Sequence, residues 1–210
     1  MTWLELAPVL DTGRFGTWSQ LVGVGWPVVA RVLHPAYRVM GDHTVPVPWR
    51  DLGSDIAPQA SWYDLTGQRL HSGRTGAGWE AEPTVGPLDS SVTIPLLRQL
   101  GATQEEHLYV AEWDGYGNGG TAGKVKLGDR EWVVHELNDS DQIQTWLDGL
   151  GTDTGPLPSL AWPGSLRWVL NADVDLPCTV VGCGQHELAA IQASKELEVV
   201  VADPLSTIVM

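Results

Sequence analysis

The sequence predicts an α+β fold: a mixed, largely antiparallel sheet with a few helices packed on one face. Three observations point there. Short runs of large and β-branched residues recur along the chain, each closed by glycine or proline, which is how strands read. Other segments carry apolar residues at helical spacing behind a capping residue. Two of the strands follow one another directly across Gly128-Asp129, the signature of a hairpin. Strands with helices interspersed in this way bury their apolar faces as a sheet covered by helices.

Taken in order, residues 3–21 have mixed periodicity and run out into Gly23 and Gly25. Val28-Val-Ala-Arg-Val-Leu-His34 reads as a buried strand closed by Pro35, with His34 a satisfied structural histidine at the break. Pro46 and Pro48 punctuate an extended connection, and Trp49-Arg-Asp-Leu begins one helical turn. Residues 68–78, rich in glycine and arginine, read as a surface loop that continues through Pro83 and Pro87. A helix follows over 90–100, capped by Asp89 or Ser90 and stopped by Gly101; Pro95 inside it implies a late start or a kink. Residues 108–113 form the next strand. Lys124 to Leu137 is the hairpin. Residues 140–150 make the clearest helix, with Ser140 as cap, Asp141 at the positive end of the dipole, and Ile143, Trp146, Leu147 and Leu150 on one face. Residues 151–163 are turn material, 166–172 a strand, 186–194 a helix and 197–202 a last strand.

At 210 residues the chain is long enough for one domain, 1–210, with a possible N-terminal lobe over 1–80 and an acidic part over 81–210. The formal charge is −14, and it is lopsided: seven acids against six bases in residues 1–80, nineteen against six in residues 81–210. A field of that sign repels phosphate backbones and anionic headgroups, so neither nucleic acid nor a membrane is expected as partner. A basic protein or a small cationic ligand would be steered in. The first residues lack a basic start and an apolar signal core, and no apolar run approaches a bilayer span, so a cytoplasmic location is expected. Two cysteines, Cys178 and Cys183, lack zinc-finger spacing. They read as reduced and structural, the alternative being a local bridge if residues 179–182 turn back on themselves.

Eleven tryptophans stand against one phenylalanine, so this is a tryptophan-rich chain in which indoles serve the core and, where half-wet, a ligand cleft. The densest such stretch runs from Tyr109 into Trp113-Asp-Gly-Tyr-Gly-Asn-Gly-Gly120. Gly115, Gly117 and Gly120 satisfy G-x-G-x-x-G, but a strand pattern follows where a dinucleotide site needs a helix N-terminus. A phosphate-loop reading ending at Gly123-Lys124 fails as well, because Asn118 and Val125 occupy positions that need glycine and Ser/Thr. No cofactor is therefore implied.

The strand ending in Trp113-Asp-Gly-Tyr-Gly117 is answered by Trp162-Pro163, Leu166-Arg-Trp168 with Asp173-Val-Asp-Leu176 following, and Val181-Gly182. With Ala30-Arg-Val-Leu-His-Pro35, residues 79–88 and Leu197-Glu198 in the same order, the chain resembles a group of uncharacterised actinobacterial proteins of unknown function, and the likeness covers most of its length. It implies one domain, soluble and cytoplasmic, and no activity. This chain departs from the pattern at Pro177-Cys178 and at Cys183, in the stretch between Asp175 and Gly184, which reads as a loop.

Two functional classes follow. In the first, a non-enzymatic acidic binding protein engages a basic protein partner or a small ligand through Trp113, Asp114, Tyr116, Arg167 and Asp173. In the second, an enzyme uses Asp114, Asp173 and Asp175 as carboxylates, Asp114 and Asp173 sharing a cleft if their strands run side by side in the same direction. Asp173 and Asp175 are weak candidates for a divalent metal, since strand-end aspartates more commonly close turns.

Overall fold

The computed structural model describes residues 16–53, 56–76, 78–88, 90–116, 124–127, 130–150 and 158–208, with the side chains of Leu88 and Tyr116 left undescribed. Ten strands and five α-helices are described. The strands are β1 (Val28–Leu33), β2 (Ala36–Met40), β3 (His43–Val47), β4 (Leu108–Trp113), β5 (Lys124–Leu127), β6 (Arg130–Leu137), β7 (Leu160–Pro163), β8 (Trp168–Asn171), β9 (Cys178–Cys183) and β10 (Glu198–Ala202). The helices are α1 (Trp18–Val22), α2 (Trp62–Thr66), α3 (Ser90–Gln99), α4 (Ser140–Gly149) and α5 (Gln185–Ala193). Eight strands form one sheet in the order β10-β1-β9-β8-β7-β4-β6-β5, and β2 and β3 make a separate hairpin. Every pairing in the large sheet is antiparallel, so the expected sheet is present and is not mixed. β1, from the nearly neutral part of the chain, lies between β9 and β10 from the acidic part.

Alternation along β1 shows how the layers are built. Val28, Ala30 and Val32 face a core shared with α3, α4 and α5. Val29 and Leu33 face a second core, on the opposite side, closed by Trp18, Trp49, Trp62 and Trp79. All six residues of β1 are buried, as a strand covered on both faces requires. The three longer helices occupy one face, as expected. The other face is covered by α1, α2 and the connections between them, a layer dominated by indoles. Trp62 is its hub, lying edge-on to Trp49 at 5.4 Å and to Trp79 at 5.1 Å between ring centroids.

Local signals placed most of the helices. α3 runs through Pro95 and buries Val92, Leu96 and Leu97, with Gly101 at φ 72° just past its end. α4 buries Ile143, Trp146 and Leu147, but its cap is Asp139 and not Ser140: the Asp139 carboxylate accepts the Gln142 N–H at 2.8 Å. Aspartate and serine cap about equally well, and the earlier residue wins because its side chain reaches the orphan amide. α2 begins with a capping box, the Ser61 N–H donating to Asp64 at 2.8 Å while Ser61 Oγ accepts the Asp64 N–H at 3.2 Å.

Two expectations change. The connection around Pro46 is the β2–β3 hairpin, in which Pro46 pairs with Tyr37. The stretch between Asp175 and Gly184 is not a loop but β9, a fully buried central strand. The Gly117–Gly123 loop, the Gly128-Asp129 turn, Asp89 as a cap, residues 151–157 and the chain before residue 16 lie outside the described residues; the strands flanking Gly128-Asp129 do pair as the expected hairpin. His34 is the satisfied structural histidine the sequence implied: its ring bonds the Thr84 carbonyl at 2.6 Å and Thr179 Oγ1 at 3.0 Å.

Gly182, in the middle of β9, is packed under the Trp26 ring, and a Cβ there would lie 2.5 Å from Trp26 Cδ1. Trp26 is half-buried and anchored by its own N–H to the Val22 carbonyl at 2.8 Å, so the ring can swing away only by losing that bond. Gly182→Ala is expected to lower unfolding free energy by about 1–3 kcal/mol in urea titrations, with a red-shifted tryptophan emission as Trp26 moves into water.

Candidate functional site

The sequence-predicted residues divide into two groups at opposite ends of the sheet. β4 and β8 run in the same direction with β7 between them, as the register Ala111↔Leu160↔Asn171 shows. Their C-terminal ends therefore lie together, and Trp113 and Asp173 are joined through Arg130. The Arg130 guanidinium lies 5.5 Å from the Trp113 ring centroid, and its Nη1 donates to Asp173 at 2.7 Å. Asp114 is held by Lys124 Nζ at 2.7 Å. Tyr116 belongs to the same turn, Asp114–Tyr116.

Arg167 does not join them. It precedes β8 at the other end of the sheet, on the order of 15–20 Å away along an extended chain. There its Nε donates to Glu105 at 2.9 Å and its Nη1 to Glu187 at 3.0 Å, with Nη2 also on Glu105. A strand of alternating geometry cannot bring both of its ends to one hollow, which is why the five-residue site breaks apart.

The carboxylates do not converge either. Asp173 is 3% exposed, and burial pushes its carboxyl up against the opposing pull of Arg130 and of the Asp175 N–H. Asp114 sits two strand positions away and is ion-paired, while Asp175 is exposed. Among the described residues no group of three or more His, Cys, Asp or Glu side chains is placed to hold a metal.

The cysteines lie at the two ends of β9 and face opposite cores, Cys178 the tryptophan side and Cys183 the helix side. Five residues of strand separate them by about 16 Å, far beyond disulfide reach. A local bridge is therefore ruled out; both are free and buried.

A cleft of about 800 Å³ opens elsewhere, between the sheet and the tryptophan layer. Its floor is Trp18, Arg31, Trp49, Trp62 and Cys178, each at most 2% exposed. Tyr63, Arg69, His71 and Asp175 form its exposed rim. Arg31 is the unusual member. It projects from the centre of β1, flanked by β10 and β9, and is 2% exposed. Its Nη1 and Nη2 donate to the Pro58 and Ala60 carbonyls at 2.9 Å each, and its guanidinium lies 4.5 Å from the Trp18 ring centroid. Its Nε has no partner, nor do the Trp18 and Trp62 indole N–H groups. Burial pushes the Cys178 thiol up despite the neighbouring Arg31, so it is a neutral lining group and not a thiolate.

Sequence reasoning passed over this site, although one signal was available: a lone arginine in the middle of the apolar run Val28-Val-Ala-Arg-Val-Leu33. A charge at a core-facing strand position requires a built environment.

Comparison of the chain with known protein families, with curated proteins and with solved structures returns no match. No helix among the described residues is long and apolar enough to cross a membrane.

Two outcomes are expected. Because the Asp173 carboxyl is raised above its ordinary 3.8, the native state holds that proton to higher pH than the unfolded chain does. Its contribution to stability is therefore full below 3.8 and lost as pH rises through the raised value. The stability of the native protein relative to Asp173→Asn, measured by urea unfolding across acidic pH, should fall as pH increases. For the cysteines, Cys183 is pushed up to about 12 by burial. Thiol titration should count two free thiols in denaturant and find both slow to react in the native protein at pH 8.

Proposed function

We propose that this protein is a non-enzymatic binding protein that takes a small ligand with a flat apolar body into the cleft between the sheet and the tryptophan layer. The observation that carries this reading is the floor: three buried indoles around a space of about 800 Å³, two of them with N–H groups left unpartnered. Ligand sites are concave, mostly apolar, and carry a few placed polar groups, and this cleft has that composition and size.

The alternative, a carboxylate enzyme, draws less support. Asp114 and Asp173 are each committed to a basic side chain, and Asp175 stands alone at the rim. The thiol in the cleft is held neutral. A basic protein partner remains the reading that charge alone favours, because residues 81–210 carry nineteen acids against six bases. It would use the acidic outer surface, leaving the cleft to a small molecule. The likeness to uncharacterised actinobacterial proteins is a likeness of motifs and adds no activity to either reading.

Flat aromatic probes should quench the intrinsic tryptophan fluorescence saturably and raise the melting temperature. Leu70→Trp, which adds bulk to a half-buried residue lining the cleft, should abolish both effects while the circular dichroism stays unchanged. Absence of any saturable response across neutral and charged aromatic probes would remove this reading.

A further inference from the structure

We infer that the ligand of this cleft is an aromatic monocarboxylate, its carboxylate received by Arg31 with the indole N–H groups of Trp18 and Trp62 as further donors. This rests on the cleft being a ligand site, and it goes beyond that reading by fixing the ligand's charge and polar group.

Among the residues that line the cleft, the buried side-chain nitrogens left without a hydrogen-bond partner are all donors: Arg31 Nε, Trp18 Nε1 and Trp62 Nε1. Indole and guanidinium nitrogens have no acceptor capacity, so a cationic head would find no hydrogen-bond acceptor among them. An acceptor-only group completes the set, and a carboxylate offers two oxygens with about four lone-pair sites. Charge points the same way. Arg31 is 2% exposed, and no carboxylate among the described residues forms an ion pair with it. Backbone carbonyls and the Trp18 face solvate it in part, but a buried cation without a counter-ion stays costly. A ligand anion supplies the missing charge.

A single negative charge fits better than a phosphate. The charged residues lining the cleft are Arg31, Arg69 and Asp175, a net of one positive charge. The two Nη groups of Arg31 already hold Pro58 and Ala60, which leaves few donors for the three oxygens and second charge of a phosphate. α2 starts at the cleft, but its capping box closes that end with Ser61 and with the carboxylate of Asp64, which leaves no amide cradle for phosphate. The rest of the ligand is set by the indoles of Trp18, Trp49 and Trp62, whose faces and edges suit a flat ring.

The experiment compares three probes of one ring system on the native full chain by isothermal titration calorimetry at pH 7: 2-naphthoate, 2-naphthamide and 2-naphthyl phosphate. The acid should bind about tenfold or more tighter than the amide, and the phosphate should bind no better than the acid. In Arg31→Lys the acid's advantage should shrink while amide binding stays within about twofold. Equal binding of acid and amide overturns the carboxylate assignment and leaves the cleft reading standing. Tighter binding of the phosphate overturns the single-charge assignment. No binding by any of the three overturns both readings. Should Arg31→Lys not fold, indole N–H resonances of the native protein decide the donors: the acid should shift the two signals assigned by Trp18→Phe and Trp62→Phe further downfield than the amide does, and movement of neither signal overturns their role.

Discussion

A guanidinium at the centre of a strand, 2% exposed and meeting solvent only through the cleft, sets the terms for the whole tryptophan-bearing face. β1 is paired on both sides, so Arg31 can be solvated only by what lies above it. The chain answers by bringing the carbonyls of Pro58 and Ala60 down onto its two Nη groups. That contact places Ser61, which caps α2, and α2 in turn places Trp62 against Trp49 and Trp79. Trp49 is fixed from the other direction: its backbone N–H and that of Arg50 donate to the Glu198 carboxylate of β10, and its indole N–H donates to the His34 carbonyl. The layer is therefore hung from the sheet by polar contacts at defined points, with apolar packing filling the space between.

The two faces differ in kind for that reason. On the helix side, valine, leucine and isoleucine fill most of the interior around Trp146 and Trp168, and the fit depends on three helices. On the other side the covering chain is short of regular structure, and large rigid rings do the filling. Indoles reach across irregular backbone and pack edge to face, which accounts for a composition of eleven tryptophans and one phenylalanine. Each ring also brings an N–H. Trp26, Trp49 and Trp132 find backbone carbonyls for theirs, whereas Trp18 and Trp62, which line the cleft with Arg31, do not, nor does Trp168 in the helix-side core.

How much of this was legible depended on whether the signal was local. Strands rich in large and β-branched residues, such as β1 and β4, and helices with periodic apolar faces, such as α4, could be read from their own residues. β9 could not. Its Cys-Thr-Val-Val-Gly-Cys sequence is short, bounded by Pro177 and Gly184, and contains a glycine whose purpose is to admit the Trp26 ring from a distant segment. Missing that strand turned a pair of cysteines on opposite faces into a possible bridge. The site failed for a related reason. Trp113 and Asp173 are joined by Arg130 from a third strand, and Arg167 is drawn off by Glu105 and Glu187, contacts that no spacing along the chain encodes. The capping box at Ser61 and the arginine inside β1 were local signals that carried more than they were given.

The acidity that suggested a cationic partner and the donor-lined cleft are compatible once distance is considered. At physiological salt a surface charge is screened over about 8 Å, so the negative potential of residues 81–210 acts on approach and fades within the cleft. Inside, Arg31 lies under indole rings where water is scarce, and a single positive charge there outweighs many screened ones outside. Large polyanions cannot enter and meet only the repulsive exterior. A small monoanion with an apolar body crosses that field at modest cost and then meets the attractive charge directly. On the reading proposed for the cleft, the outer charge acts as a filter on the size and charge number of what reaches Arg31, and selectivity for a small singly charged ligand follows from the arrangement of the two fields rather than from either alone.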